Sequence, residues 1–405
     1  MRTGVWSSRN FRALFAGSAV SAFGDRLVPV ALAFAVLDLT GSVTDLGLVL
    51  AAQTVPQVVF VLLGGVWADR LPRQALMLSS DLVQAASQGV SAVLLLTGRA
   101  QVWELAALQA VYGTAAAFFG PASTAVVPQT VDAGRLQEAN ALLALSRSVS
   151  AVLGPAVAGA IVATVGAGWG LAVDSVTFVM SAGFLSQLRI RHLRPVQSTR
   201  MSDELRAGWQ TFRSRTWLWV TAGFFALFLA FGYSPLQVLG PQVARRFLGG
   251  AGAWAAISVA RGIGSLAGGG LGLRWRPQHP LRAAFIVFII GTPALLAAVA
   301  AHVAVPIIIA FALIDGITSA FFNTVWFTAI QTDVPPGELS RTASWEYLAS
   351  VTPLPLGQAI AGPIAGAVGI GATLYGAGGL TLVLLLFVLA VPAIHNFSYR
   401  SAGPE

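Results

Sequence analysis

The chain has 405 residues, of which 56% are apolar and only 10% are charged, and its mean hydropathy is +0.75. Soluble domains carry about 25% charged residues, so this composition excludes an ordinary soluble protein. The net charge of +8 would suit nucleic acid or acidic lipid, but all 24 basic residues are arginines and they are unevenly placed. The lack of cysteine excludes disulfide and thiol chemistry.

Apolar runs recur along the whole chain, each long enough to cross ~30 Å of hydrocarbon at about 1.5 Å per residue. No window alternates as a transmembrane β-strand does, so we expect an all-α polytopic membrane protein. The runs predict twelve transmembrane helices, near 11–37, 46–67, 74–97, 102–126, 139–164, 168–188, 216–240, 252–273, 282–301, 303–327, 342–367 and 371–394.

The arginines give the orientation of these helices. If the N-terminus is cytoplasmic, 18 of the 24 lie in the N-terminus, the even-numbered loops or the C-terminus. This positive-inside pattern predicts a multi-pass protein of the cell membrane with both termini cytoplasmic. Contact with anionic lipids would follow from the same charges, and a nucleic-acid partner is not expected.

The largest hydrophilic stretch, residues 189–215, lies midway along the chain. It predicts a cytoplasmic linker between two halves of six spans, residues 1–188 and 216–405. Within it, Trp209 and Phe212 fall on one face of a short amphipathic helix, which we expect on the membrane surface.

The two halves are related by an internal repeat. Residues 118–166 recur as 321–369 without a gap, and Leu153–Gly159, for example, matches Leu356–Gly362. Chance matching in apolar sequence is the alternative, but the phase holds across a helix, a polar loop and the next helix. Because six spans is an even number, both copies insert in the same orientation, which predicts two parallel six-helix bundles.

The loop between spans two and three reads Gly65-Val66-Trp67-Ala68-Asp69-Arg70-Leu71-Pro72-Arg73. Gly65 at a helix end permits close approach of a neighbouring helix. Asp69 suits the positive end of another helix, while Arg70 and Arg73 offer forked donors to carboxylates or carbonyls. A short turn with two positive-inside arginines is the alternative reading.

This segment resembles the signature of the major facilitator superfamily, Gly-x-Leu-Ala-Asp-Arg-x-Gly-Arg-Arg/Lys, which that family places in the same loop. It departs from the signature at Trp67, Pro72 and Gln74. The resemblance implies alternating access and a conformational latch between the halves that is made in one access state and broken in the other. The latch residues would be Gly65, Asp69, Arg70 and Arg73. The equivalent segment 270–277 has no acid, so only one such latch is predicted.

Spans five and eleven contain Gly and Pro at matching places, namely Gly154, Pro155 and Gly159 in the first half and Gly362 and Pro363 in the second. They are similar to a Gly-Pro element of exporters in this superfamily, and we expect them to serve helix packing.

Three further segments resemble a branch of the superfamily that includes enterobactin-type siderophore exporters and macrolide efflux proteins. They are Asn10-Phe11-Arg12, Gly24–Leu27 and Thr40–Ser42. Span four, however, lacks the arginine that many proton-coupled drug exporters carry there, so the resemblance does not imply proton coupling by that route.

Several ionisable residues lie inside spans, among them Asp25, Arg147, Arg261 and Asp315 at roughly 13 to 21 Å from the span starts. A charge at this depth costs at least ~2.5–3.5 kcal/mol, so each needs a partner or a watery cavity. The resemblance implies a cavity lined by spans one, four, seven and ten, which would expose Asp25 and Asp315. We predict these two as proton- or substrate-responsive carboxylates, with Arg147 and Arg261 as partners. Permanent structural ion pairs are the alternative.

Other polar residues within spans are expected to have structural roles. Asp81 and Asp174 are predicted as packing or capping groups, and His302 and His395 as interfacial side chains. The sequence contains no metal-ligand cluster, phosphate loop or nucleophile triad. We therefore expect no enzyme activity, no cofactor and no metal.

Aromatic side chains of spans four, seven and ten are predicted to line the cavity for a bulky amphipathic substrate, with lipid-facing positions as the alternative. They are Tyr112, Phe118, Phe119, Phe231, Tyr233, Phe322 and Trp326.

Together these observations predict a monomeric secondary active transporter that works by alternating access. We expect an H⁺-coupled exporter of a bulky amphipathic small molecule such as a drug, a macrolide-like compound or a siderophore. An importer of a small solute is the alternative within transport, and a non-transporting receptor or scaffold is another. An intramembrane aspartyl protease using Asp25 and Asp315 is not favoured, because it gives twelve repeated spans no purpose.

Overall fold

A computed structural model describes residues 4–70, 72–189, 201–275, 277–335 and 338–399. Within helices it gives only the backbone at positions 61–70, 125, 133, 201–205, 207 and 340. The described chain is helical, without a β-strand in these ranges. It divides into a first compact unit, residues 1–196 with 249–259, and a second, residues 197–248 with 260–405. The division after residue 196 falls inside the predicted linker.

The first half of the chain contains seven α-helices in the described ranges and three short 3₁₀ turns, Val5–Ser7, Val127–Gln129 and Ala133–Arg135. The helices are α1 (Arg9–Asp25), α2 (Val28–Thr40), α3 (Val43–Arg70), α4 (Arg73–Leu96), α5 (Val102–Val126), α6 (Leu136–Thr164) and α7 (Ala167–Leu185).

The rest of the described chain contains eleven α-helices and two π-helical turns, Leu229–Tyr233 and Ala244–Leu248. The helices are α8 (Met201–Ser214), α9 (Thr216–Phe228), α10 (Ser234–Val243), α11 (Ala251–Arg274), α12 (Pro280–Ile289), α13 (Thr292–Ala300), α14 (Val305–Asp333), α15 (Leu339–Val351), α16 (Leu354–Val368), α17 (Ile370–Ala390) and α18 (Pro392–His395).

Ten helical segments of the described chain are long and apolar enough to cross a membrane. They are Arg9–Thr40, Val43–Phe60, Val102–Thr124, Leu136–Thr164, Ala167–Leu185, Thr216–Leu248, Pro280–Ala300, Val305–Asp333, Arg341–Val368 and Ile370–Ala390. The 24-residue helices α4 and α11 match the other two predicted spans. Helix α4 falls short on hydropathy because its buried face carries Ser, Gln and Asp. The all-α membrane fold is confirmed.

Several spans are broken near their middle by proline. Helix α1 ends at Asp25, and α2 begins three residues later with Pro29 in its first turn. Pro29 has no N–H to donate to the carbonyl of Asp25, so the i−4 hydrogen bond is lost there. The seventh span has the π turn Leu229–Tyr233, which Pro235 follows in the same way. The breaks free backbone groups in the interior of two spans.

Helices α11 and α14 pack with their backbones in contact. A Cβ atom added at Gly264 would meet the carbonyl oxygen of Leu313, and one at Gly268 would meet that of Ile317. Both glycines belong to the overlapping GxxxG steps of α11, a pattern typical of close helix packing in membranes. This contact sets the distance between the helices that carry Arg261 and Asp315.

The predicted amphipathic helix of the linker is present as α8. Its apolar face packs against α15 and α9, with the ring of Trp209 5.1 Å from that of Trp345. Thr211 Oγ1 donates to Glu338 Oε2 at 2.7 Å. The apolar face that the sequence assigns to a membrane surface is therefore covered in part by protein.

Candidate functional site

The first candidate site lies at the break of the first span. Asp25 is the last residue of α1, and the Tyr112 hydroxyl on α5 donates to its Oδ1 at 2.5 Å. Tyr112 is only 4% exposed and its ring packs on Phe178 with the centroids 5.9 Å apart. Tyr112 therefore holds the Asp25 carboxylate; its ring is enclosed by protein.

The structure does not bring Arg147 to Asp25. Arg147 is exposed on α6, and the described contacts include no ion pair between the two residues. The sequence could not distinguish these arrangements because depth along a helix does not give the direction of a side chain. Arg26, which follows Asp25, is also exposed.

The second candidate site lies inside the second unit and brings Arg261 and Asp315 together. Arg261 Nε donates to Asp315 Oδ2 at 2.6 Å, and Thr292 Oγ1 donates to Oδ1 at 2.5 Å. Asp315 is 0% exposed, whereas the Arg261 side chain is 29% exposed. The guanidinium carbon lies 5.4 Å from the ring centroid of Tyr233, within cation–π range. Both carboxylate oxygens thus have donors.

Local sequence explains how these groups meet. Thr292 begins α13 after the break at Gly291, and Pro293 occupies its first turn. A Cβ at Gly291 would collide with Thr318, and one at Gly316 would collide with the backbone of Arg261. Glycine at both positions allows α11, α13 and α14 to approach closely enough for one carboxylate to accept from two helices.

The glycines of the fifth span also lie at close contacts. A Cβ at Gly154 would meet Arg26, at the break of the first span, and one at Gly159 would meet Ala255 of the same unit. Pro155 is buried beside them. In the second half, Gly362 is buried and Pro363 exposed on α16.

The latch residues lie where α3 ends and α4 begins. Gly65, Asp69 and Arg70 fall in the last turns of α3, but their side chains lie outside the described part of the chain. Arg73 is the first residue of α4 and half-buried. Beside it, Gln74 Nε2 donates to the carbonyl of Leu185 at 2.9 Å, which ties α4 to the end of α7. The latch itself stays a prediction.

The predicted aromatic wall is distributed over different environments. Phe118 lines a cavity of about 390 Å³ between α4 and α5, together with Ser79, Ser80 and Thr114. Phe322 and Trp326, by contrast, are 1% and 3% exposed inside the aromatic core of the second unit. Their rings are enclosed by other side chains. The remaining members, Phe119, Phe231 and Tyr233, are half-buried.

Some polar groups with notable contacts are not among the site residues predicted from the sequence. Thr292 has no special signal in the sequence, because a threonine near a helix start is ordinary. Glu346 is a half-buried acid inside the eleventh span that accepts a hydrogen bond from Ser350 at 2.9 Å, and its charge within a predicted span is a signal that the sequence contains. Arg215 and Asp333 form an ion pair of 3.0 Å that joins the start of α9 to the end of α14.

This chain is similar to curated transporter proteins and to solved structures of transporters. It is 24% identical over 371 residues to macrolide efflux protein A of Streptococcus pyogenes, covering 89% of this chain and 90% of that protein. It is 29% identical over 143 residues to an uncharacterized MFS-type transporter, YvqJ, of Bacillus subtilis, covering 35% of this chain and 33% of the other.

Among solved structures, the nucleoside transporter NupG superposes with a TM-score of 0.74 at 12% identity, covering 96% of this chain and 99% of that one. A POT family transporter in complex with 5-aminolevulinic acid superposes with a TM-score of 0.76 at 11% identity, covering 96% and 97%. At these identities the likeness shows the fold alone. The profile of the Major Facilitator Superfamily matches residues 14–351, and the chain belongs to that family.

Proposed function

We propose that this transporter is an H⁺-coupled exporter of a bulky amphipathic small molecule, with a macrolide-like compound as the first candidate. Transport by a multi-pass membrane protein follows from the family; direction, coupling ion and substrate are the proposal. The similarity to macrolide efflux protein A extends over nine-tenths of both chains and supports export.

The observation that supports H⁺ coupling is the site formed by Asp315, Arg261 and Thr292. Asp315 lies within a 29-residue apolar helix and is wholly enclosed by protein. Its negative charge is therefore stabilised by the ion pair with Arg261. Protonation of this carboxylate would remove the ion pair and leave Arg261 without its counter-charge. Loss of an ion pair at an enclosed site can shift the balance between two conformations of the transporter.

The cavity beside Phe118 supports an amphipathic substrate. Its lining is mainly apolar, from Leu76, Val83 and Phe118, and it adds the hydroxyl groups of Ser80 and Thr114. A mainly apolar site of this kind binds the hydrocarbon surface of a ligand, and its few polar groups orient the ligand. We propose it as a contact region for the apolar part of the substrate.

The remaining features complete the proposal. The protein acts as a monomer with both termini cytoplasmic, in two six-span halves joined by residues 189–215. The segment from Gly65 to Arg73 is the latch of one access state. The positive-inside distribution of arginine supports this orientation.

Transport direction can be tested in membrane vesicles. Inverted vesicles with an acidic lumen should accumulate a radiolabelled macrolide, and a protonophore should abolish the accumulation. Right-side-out vesicles with an acidic exterior, which corresponds to the same pH gradient across the cell membrane, should extrude the macrolide. Uptake into right-side-out vesicles would instead establish the importer, and transport unaffected by the protonophore would overturn H⁺ coupling.

A further inference from the structure

Three helices of the first unit bring three carboxylates into one region. Asp25 ends α1, Asp81 lies on α4 and Asp174 on α7, and α7 packs against both other helices. A Cβ at Gly24 would meet Asp174 Oδ1, so that carboxylate lies against the residue before Asp25. Asp81 also interacts electrostatically with Asp25. From sequence alone, Asp81 and Asp174 are predicted as packing or capping groups.

The hydrogen bonding of this cluster is incomplete. Asp81 and Asp174 are both 0% exposed, and within the described chain no carboxylate oxygen of either has a hydrogen-bond partner. Ser181 lies beside Asp81, and Gln88 and Thr177 lie beside Asp174, but none of them makes a hydrogen bond of normal geometry to the carboxylate. Gln88 is itself 0% exposed, and its Nε2 has no acceptor. Buried polar groups are otherwise almost always paired, so these atoms indicate a ligand.

The charges around the cluster do not balance if all three carboxyls are ionised. The charged and titratable groups that face it are Arg26, at the break after α1, and Tyr112 on α5. Arg26 is exposed to solvent, and Tyr112 is a neutral donor to Asp25. Three negative charges would then share one exposed arginine in an enclosed region, at a cost of several kcal/mol for each unpaired ion.

We propose that Asp25, Asp81 and Asp174 form a proton-binding site of the first unit, in which Tyr112 positions Asp25. Each binding step adds one proton from water to a carboxylate oxygen, and release returns it to water. Asp315 differs because Arg261 already neutralises it. A role for the cluster as a second coupling site beside Asp315 rests on the proposed function, whereas its role as a proton-binding site does not.

The proton occupancy can be measured directly by infrared spectroscopy of the purified full-length chain. Protonated carboxyls have a C=O stretching band that ionised carboxylates lack. At neutral pH the native protein should show this band, and Asp81→Asn and Asp174→Asn should each lose part of its area. Asp132→Asn, on an exposed residue between α5 and α6, is the matched control and should leave it unchanged.

The possible results separate the alternatives. An unchanged band in both variants would mean that the two carboxylates are ionised, and the proposal would be wrong. A rise in melting temperature on adding Na⁺ to the native protein, lost in the variants, would assign the site to a metal cation and overturn the proton. If the asparagine variants fail to fold, the band is instead titrated with pH in the native chain. Absence of the band at neutral pH would mean that no carboxyl is protonated, and the proposal would be wrong.

These measurements need neither substrate nor gradient, so failure of the export assay leaves them intact. Conversely, full proton-driven transport by Asp81→Asn and Asp174→Asn would show that the protons are structural, and would remove the coupling role alone.

Discussion

Gly154 and Gly357, which are 203 residues apart, make the same close contact in their two units. A Cβ at Gly154 would meet Arg26 beside the break of the first span, and one at Gly357 would meet the backbone of Ala230 in the π turn of the seventh. In each unit a helix therefore crosses the broken span at a glycine, with no room for a side chain.

This contact predicts that Gly357→Ala destabilises the protein. Added methyl groups in a packed region cost about 1–3 kcal/mol, and here the colliding atoms are backbone. The melting temperature in detergent should fall. Gly366→Ala on the same helix is the control, because a Cβ there meets nothing within 4 Å. That variant should be unchanged or slightly more stable, and an equal loss in both would contradict the contact.

The internal repeat predicted much of the fold. The pairs α5 and α14, α6 and α15, and α7 and α17 each begin 203 residues apart. The turns before α7 and α17 also agree, since Gly166 and Gly369 both have positive φ, 98° and 91°. The positions of helices and turns depend on hydropathy and on helix-breaking residues along the chain. Comparing the two halves of the sequence can therefore predict them.

The side-chain pairing was only partly predictable. Depth along a span indicated that Asp25 and Asp315 each need a partner and that Arg147 and Arg261 could serve, but it did not assign either arginine to either carboxylate. A partner on a distant helix depends on the rotation of that helix about its axis. Helix α14 is apolar on all sides, so its sequence contains no signal for rotation.

Asp315→Asn should uncouple transport and weaken the fold. Removing one member of a buried ion pair costs about 3–5 kcal/mol, and we expect the lower end because Arg261 is 29% exposed. The double variant Arg261→Gln/Asp315→Asn should recover melting temperature while remaining inactive in the vesicle assay. Asp132→Asn, exposed and outside the spans, should behave as the native protein. Proton-driven transport by the double variant would contradict a coupling role.

Tyr112→Phe isolates the hydroxyl that holds Asp25. The ring contact with Phe178 stays, while the donor to Asp25 is lost. A hydrogen bond to a charged group contributes about 1.5–3 kcal/mol, so we expect a lower melting temperature and a changed pH dependence of transport. Tyr375→Phe, on a tyrosine that is 51% exposed, is the control. A pH profile equal to that of the native protein would mean that Tyr112 does not act on Asp25.

The cavity beside Phe118 can be tested by filling it. Thr114→Trp should place an indole in the cavity and raise the KM for a macrolide, with membrane insertion unchanged. Thr124→Trp is a close control, since both threonines lie on α5 and donate to the carbonyl four residues earlier. Thr124 is exposed and outside the cavity lining. Equal KM values for the two variants would place the substrate elsewhere.

The pair Arg215–Asp333 should stabilise the second unit through the connection between α9 and α14. Asp333 Oδ2 accepts from Arg215 Nε at 3.0 Å and from Trp217 Nε1 at 3.2 Å, and both members of the ion pair are less than a fifth exposed. A double-mutant cycle of Arg215→Gln and Asp333→Asn should give a coupling of about 1 kcal/mol, near the upper value for partly exposed pairs. Arg213→Gln, on a neighbouring exposed arginine, should show no coupling with Asp333→Asn. Additive effects in the first cycle would mean that the ion pair adds nothing to the stability of the second unit.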